Sequence, residues 1–215
     1  MKVSEIFFSI QGEGINIGKP AVFLRLQGCN LRCSWCDTKY TWGNDYKKLA
    51  LNEVKEQIKK FDCDRLVITG GEPLLQDVEV KRLIDLLPGY KIEIETNGTI
   101  YPQWANYGIL FNVSPKPPSS ENNPSIAYNK DVLKSFNKIN SVFKFVVQNK
   151  DDFKWMKKVI KECGLNKEKV IVMPEGKTSQ EIVRSALAVI EEIKKEKFRI
   201  IPRLQVLLWG VRRGI

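Results

Sequence analysis

The 215-residue sequence predicts an α/β fold, a partial parallel β/α barrel of about six strands. Three observations predict it. Short apolar runs rich in Val, Ile and Phe alternate with longer amphipathic stretches. Clusters containing Gly, Pro and Asn punctuate the ends of those runs. The most distinctive motifs fall just past the carboxyl ends of the predicted strands, where ligands bind in parallel β/α folds.

The first strand is Ala21–Leu26. Its residues alternate, so Val22, Leu24 and Leu26 form an all-apolar face expected to pack on helices. Arg25 then points the other way, into the barrel lumen, where a lone guanidinium needs an anionic partner. That partner is a substrate carboxylate or a protein carboxylate such as Glu93 or Glu95. A loop over 28–43 follows, then a helix from Asn52 to Phe61 with Asn52 as its N-cap. The strand Arg65–Thr69 runs into Gly70-Gly71-Glu72-Pro73. The helix Asp77–Leu87 stops at Pro88-Gly89. Further strands are expected at Lys91–Thr96, Ile109–Val113, Ser141–Val147 and Lys169–Met173. Helices Asp151–Cys163 and Thr178–Lys195 accompany them, the second opening on a capping box of Thr178 and Glu181. Ser114–Asn129, rich in Pro, Ser and Asn, reads as a long functional loop. Leu204–Trp209 reads as a strand or a docked tail.

Composition narrows the function classes. With 43% hydrophobic residues the chain can bury a sizeable core, and one domain over 1–215 is expected. No apolar run approaches the roughly 20 residues that span a bilayer. The stretch Met1–Gly14 lacks a signal-peptide pattern, so a cytoplasmic protein is expected. The net charge of +10 suggests nucleic acid, but the excess lysines spread over solvated helix faces, as at Lys154, Lys157, Lys158 and Lys161. Nucleic-acid binding is therefore not expected as the main function, and no membrane association is.

Five cysteines are present, and Cys29, Cys33 and Cys36 share one loop in a C-x3-C-x2-C spacing. Thiols this close cannot build a disulfide framework, so the loop reads as a metal or redox site. Such a loop can wrap three corners of an iron–sulfur cube, whereas ordinary electron-transfer [4Fe–4S] centres use four cysteines. Three ligands leave one iron open to a substrate. A zinc site completed by Cys63 or Cys163 is the alternative, weakened by the absence of any His. Cys63 and Cys163 themselves read as buried structural thiols.

This loop after the first strand, together with Gly70-Gly71-Glu72-Pro73, resembles the radical S-adenosylmethionine (SAM) superfamily. The resemblance implies a [4Fe–4S] cluster on Cys29, Cys33 and Cys36 whose open iron chelates the methionine part of SAM. It also implies SAM contacts from Trp35, Cys36, Asp37, Gly71, Ser114, Pro115 and Lys116. Physics alone leaves Trp35 equally well explained by loop packing, while glycines after a strand do let backbone approach a ligand.

Further segments resemble one family within that superfamily, the ring-contracting 7-carboxy-7-deazaguanine synthases. They are Ser9–Gly14, Phe23–Asn30, Cys36-Asp37-Thr38, Ile68–Pro73, Glu95–Thr99, Ser114–Lys116 and Val206–Gly210. The resemblance implies a small homodimer fed by a reductase, flavodoxin or ferredoxin. It implies a pterin substrate, 6-carboxy-5,6,7,8-tetrahydropterin, held by Ile10, Gln11, Gly12, Arg25 and Thr69, with Arg25 on its carboxylate. Thr38 would ligate a Mg2+ that also touches the substrate, although a lone Thr serves as well to cap a turn. A deoxyadenosyl radical would take hydrogen from C6 of the pterin, the ring would contract, SAM would be regenerated and ammonia lost. The tail 203–215 departs from the family, with Gln205 where a His is usual. A glycyl-radical activase is the nearest rival, and a metal-stabilised RNA-binding module a rival of another class.

Overall fold

The structure, a computed structural model describing residues 1–105 and 108–215, is built on one nine-stranded sheet. Its strands are β1 (Lys2–Ile10), β2 (Pro20–Leu26), β3 (Lys47–Lys48), β4 (Arg65–Gly70), β5 (Lys91–Thr96), β6 (Leu110–Val113), β7 (Ser141–Val147), β8 (Val170–Pro174) and β9 (Arg199–Ile200). The spatial order is β3-β1-β2-β4-β5-β6-β7-β8-β9. All neighbours from β2 to β9 are parallel, while β1 runs antiparallel to both β2 and β3. The outer strands β3 and β9 do not pair, so the barrel stays open.

The six expected strands all form, the fourth and sixth starting one residue later than expected. Three more join them. The longest, β1, has a mixed burial pattern rather than clean alternation, because it lies near an edge with both faces half covered. The helices are α1 (Leu51–Lys59), α2 (Asp77–Asp85), α3 (Pro124–Ala127), α4 (Lys130–Asn137), α5 (Lys150–Cys163), α6 (Ser179–Glu196) and α7 (Leu204–Trp209).

Several local expectations are corrected. Asn52 does not cap α1: the helix starts at Leu51, where the Glu53 carboxylate accepts the Ala50 N–H at 2.6 Å and sets the start earlier. The stretch Ser114–Asn129 is not one open loop but contains a 3-10 turn at Pro118–Ser120 and the short helix α3. α4 was not expected; Asn129 caps it, and it buries Leu133 and Phe136. Of the two readings of Leu204–Trp209, strand or docked tail, the second holds: the segment is a short helix whose Leu204 N–H donates to Gly12 O at 3.0 Å. The capping box on α6 forms as expected, Thr178 and Glu181 each accepting the other's backbone N–H at 3.2 Å.

The two faces of the sheet divide the labour. The outward residues Val22, Leu24 and Leu26 of β2, Leu66 and Ile68 of β4, Phe111 and Val113 of β6 and Phe143, Phe145 and Val147 of β7 join one core with the helices. Each fully buried side chain of this kind contributes roughly 1.5–3 kcal/mol. The inward residues include Arg25, Thr69, Glu93, Glu95, Asn112 and Lys144, and pairing sets Arg25 beside Thr69 and Glu95 beside Asn112. Polar chemistry is thereby gathered on the concave side. Among the described residues no helix is long and apolar enough to cross a membrane.

Candidate active site

A cavity of about 470 Å³ opens over the carboxyl ends of the parallel strands. Its lining includes Cys29, Cys33, Trp35, Cys36, Asp37 and Thr38 from the cysteine loop. From elsewhere come Ile10, Gln11, Gly12, Arg25, Thr69, Gly71, Ser114 and Lys116. Fourteen of the fifteen residues singled out in the sequence thus converge, though they come from five separate segments. Pro115 is buried and is not part of the lining.

Two glycines let the loop and β4 meet. A Cβ on Gly71 would sit 2.1 Å from the Gly28 carbonyl oxygen and 2.7 Å from Cys29 Cβ. Gly70 has φ +142°, and a Cβ there would lie 2.1 Å from the Leu26 carbonyl oxygen. The Glu72 N–H donates to Gly28 O at 2.8 Å, tying the turn to the start of the cysteine loop. The Glu72 carboxylate is fully buried and accepts from Leu74 N–H at 3.0 Å, Thr96 Oγ1 at 2.9 Å and Asn97 N–H at 2.7 Å. It ties the turn after β4 to the end of β5 rather than facing a ligand.

All three cysteines are free. Leu31 N–H donates to Cys29 Sγ at 3.4 Å, Asn122 Nδ2 to Cys33 Sγ at 3.2 Å, and Cys36 Sγ lies 3.5 Å from Thr38 Oγ1. Burial pushes the Cys29 thiol up to about 11, which a bound metal would reverse by taking the thiolate. Among the described residues no three His, Cys, Asp or Glu side chains are grouped to hold a single metal ion. A four-iron cube, with its corners set apart, suits three thiols on one loop better than a lone ion does. The residues also fit SAM: Trp35 Nε1 is buried without a hydrogen-bond partner in the cavity wall, and Lys116 Nζ lies 5.9 Å from the Trp35 ring centroid and 2.8 Å from Ser114 Oγ.

Arg25 does point into the lumen, but its protein partner is neither Glu93 nor Glu95. Arg25 Nε donates to Glu5 Oε1 on β1 at 2.6 Å, and Tyr40 OH donates to the same oxygen at 2.8 Å. Glu93 instead lies deeper, accepting from Gln11 Nε2 at 2.6 Å and Asn16 Nδ2 at 2.8 Å. Gln11 spends its remaining capacity on Glu95 at 3.2 Å and the Glu13 N–H at 3.1 Å. Thr69 Oγ1 donates to Glu95 Oε2 at 3.2 Å. Thr38 is the residue before the 3-10 turn Lys39–Trp42, but its side chain makes no capping bond.

The sequence reading missed a second charged cluster. Glu13 is ion-paired with Lys144 and lies 3.4 Å from Arg203, which also pairs with Asp37. Burial alone would raise the Glu13 carboxyl, but Lys144 and Arg203 outweigh it and hold it well below the carboxylate range. Burial would lower Lys144; Glu13 and Glu95 reverse that and raise it. One signal was legible: Lys144 is a lone charge in an otherwise apolar strand. The tail closes this side. Leu204 N–H donates to Gly12 O at 3.0 Å, Gln205 Nε2 donates to Glu13 Oε1 at 2.7 Å, and residues from Trp209 to Ile215 line the cavity.

The Radical SAM superfamily model matches residues 24–189, which run from the first parallel strand into α6. The 7-carboxy-7-deazaguanine synthase of Pyrobaculum aerophilum is 33% identical over 100% of this chain and 97% of its own length. The chain belongs to the 7-carboxy-7-deazaguanine synthase family. The Aquifex aeolicus 7-carboxy-7-deazaguanine synthase is 35% identical, covering 94% of this chain and 90% of its own. The crystal structure of QueE from Escherichia coli superposes with a TM-score of 0.73 at 25% identity, covering 94% of this chain and 92% of that one. As a 7-carboxy-7-deazaguanine synthase family member the chain is a radical SAM enzyme, with a [4Fe–4S] cluster and SAM as its cofactors.

Proposed function

We propose that this enzyme converts 6-carboxy-5,6,7,8-tetrahydropterin to 7-carboxy-7-deazaguanine by radical ring contraction with loss of ammonia. The observation that supports it best is the single cavity that faces both the cysteine loop and the Gln11, Arg25 and Thr69 side chains. The names of the relatives point the same way.

In this reading Cys29, Cys33 and Cys36 hold the cluster, which together with SAM supplies the radical. Gly71 lets main chain approach the methionine part of SAM, and Ser114, Lys116 and Trp35 bound the same side, with Pro115 setting the backbone between Ser114 and Lys116. Asp37, paired with Arg203, joins the cysteine loop to the tail. Arg25 uses Nε on Glu5 and keeps its terminal nitrogens for the pterin carboxylate. Ile10, Gln11, Gly12 and Thr69 form the floor under the pterin. Thr38 ligates Mg2+, whose remaining ligands come from substrate and water. The tail over 203–215 excludes water from a reactive substrate. The enzyme works as a cytoplasmic homodimer built from one domain per chain, reduced by a flavodoxin- or ferredoxin-class carrier.

The test is anaerobic reconstitution of the cluster, followed by SAM, dithionite, Mg2+ and 6-carboxytetrahydropterin, with mass spectrometry for 7-carboxy-7-deazaguanine. Product is expected from the wild type, none from Cys33→Ala, and less from Thr38→Ala. Cleavage of SAM without that product would overturn the substrate assignment and leave a protein or another small molecule as the substrate.

A further inference from the structure

Asn122 stands outside every motif of the cysteine loop, yet it touches the loop twice. Its Oδ1 accepts the Arg32 N–H at 2.7 Å, and its Nδ2 lies 3.2 Å from Cys33 Sγ. The orientation of the amide is over-determined. A backbone N–H can only donate, so the atom facing Arg32 is the oxygen, and the nitrogen must face the sulfur. Nδ2 also reaches Ser120 Oγ at 3.0 Å. Turning the amide over would set donor against donor at Arg32.

The segment carrying Asn122 is held from behind. Ser34 N–H donates to Ser120 O at 3.0 Å, and Ser119 Oγ donates to Asp152 Oδ2 at 2.8 Å at the start of α5. Glu121, immediately before Asn122, takes a left-handed backbone at φ +60°. Such a conformation in a residue other than Gly persists where surrounding contacts enforce it.

We propose that Asn122 is a positioning residue that tunes the cluster, its side-chain N–H donating to the Cys33 thiolate and raising the reduction potential. The inference rests on the reading that Cys33 is a cluster ligand. An N–H donated to a ligating thiolate draws negative charge off the sulfur, which favours the state carrying one more electron. That electron comes from the external one-electron reductant; no bond to Asn122 forms or breaks. The amide thus favours the reduced form required to start SAM cleavage.

The experiment compares the reconstituted wild type with Asn122→Leu, which removes donor and acceptor at nearly constant shape. Asn122→Asp is the companion, keeping the acceptor for Arg32 while replacing the donor by a negative charge. Iron and sulfide per chain are measured first, then the midpoint potential by dithionite-mediated titration followed by electron paramagnetic resonance. Expected are full clusters and lower potentials in both variants. For Asn122→Leu the ratio of reduced to oxidised cluster at fixed potential should fall about tenfold, equivalent to about 59 mV for one electron, and further in Asn122→Asp. Full clusters with unchanged potentials would overturn the proposal. If the variants load no cluster, wild type carrying asparagine 15N-labelled only at the side-chain amide decides: a 15N hyperfine coupling to the reduced cluster supports the hydrogen bond, and its absence overturns it. A wild type that takes up no cluster at all removes the underlying reading together with the proposal.

Discussion

Glu5 on β1 accepts the Arg25 Nε proton at 2.6 Å across the antiparallel β1–β2 pair, fixing a guanidinium that reaches into the cavity. The Arg25 guanidinium also lies 5.6 Å from the Phe7 ring centroid, so its plane is held by two neighbours. Glu5 is shared with Tyr40 and, at 3.2 Å, with Arg213 of the tail. The pair predicts a division of roles. Arg25→Ala is expected to raise KM for the carboxypterin by about 10- to 100-fold, since a charge-assisted hydrogen bond contributes roughly 1.5–3 kcal/mol. Glu5→Gln should raise KM by a smaller factor, on the order of tenfold or less, because the guanidinium stays but is held less firmly. Steady-state kinetics with varied pterin check both; an unchanged KM in Arg25→Ala would remove Arg25 from the carboxylate site.

Gly71→Ala should fail through sterics alone. The added methyl would lie 2.1 Å from the Gly28 carbonyl oxygen, a contact that backbone must move to relieve. The move displaces Cys29 with it. The expected result is a loss of roughly 2–4 kcal/mol in stability and a reduced iron content after reconstitution. Denaturant unfolding and iron analysis measure the two. Gly89→Ala, whose Cβ would meet nothing within 4 Å, is the control for a simple loss of glycine, its cost limited to backbone strain at φ +86°.

Glu72→Gln tests whether an acceptor-only group is needed beneath the site. Both carboxylate oxygens accept from groups that include two backbone N–H donors. An amide offers one oxygen and one NH2, so one of those N–H groups would face a donor. Leaving a buried donor unsatisfied costs roughly 1–3 kcal/mol. Thermal unfolding of the apoprotein should show that loss, and an unchanged midpoint would mean the turn relaxes around the amide.

The Glu13 cluster predicts a pH dependence. Lys144 and Arg203 hold the Glu13 carboxyl below its ordinary 4.5, even though burial opposes them. A carboxyl depressed on folding contributes stability that is present above its unfolded value and lost as pH falls through the folded value. Apoprotein stability should therefore drop from about pH 4.5 downward. In Glu13→Gln that part of the slope should vanish, alongside a loss of stability at neutral pH from two buried cations short of a partner. Glu72 and Glu93 shift the other way through burial, so the difference between wild type and variant isolates the Glu13 contribution. Parallel slopes below pH 4.5 in the two proteins would contradict it.

The parts of the site legible in the sequence are those whose chemistry is local. Cys29, Cys33 and Cys36 lie on one loop, Gly70 and Gly71 follow one strand, and the alternation in β2 alone turned Arg25 inward. What escaped depended on residues far apart. Glu5 became the partner of Arg25 because β1 pairs with β2, and β1 gave no clean alternation to reveal it. Asn122 reaches Cys33 over a separation of 89 residues, through a turn that reads as plain loop. Arg203 lies 166 residues from Asp37 and 190 from Glu13, so only chain closure brings them together.

The sequence by itself determined the order of six strands and four helices, the apolar outer face of the sheet, and the cysteine loop with the glycines that follow the next strand. These follow from spacing and periodicity, which act over a few residues and survive in any arrangement of the chain. The tertiary structure alone decided the three extra strands, helix α4, and the partners of the buried charges. The physical reason is that a buried ion must find its counter-ion within a few ångströms, and which residue stands there is set by strand register and closure rather than by any neighbour along the chain.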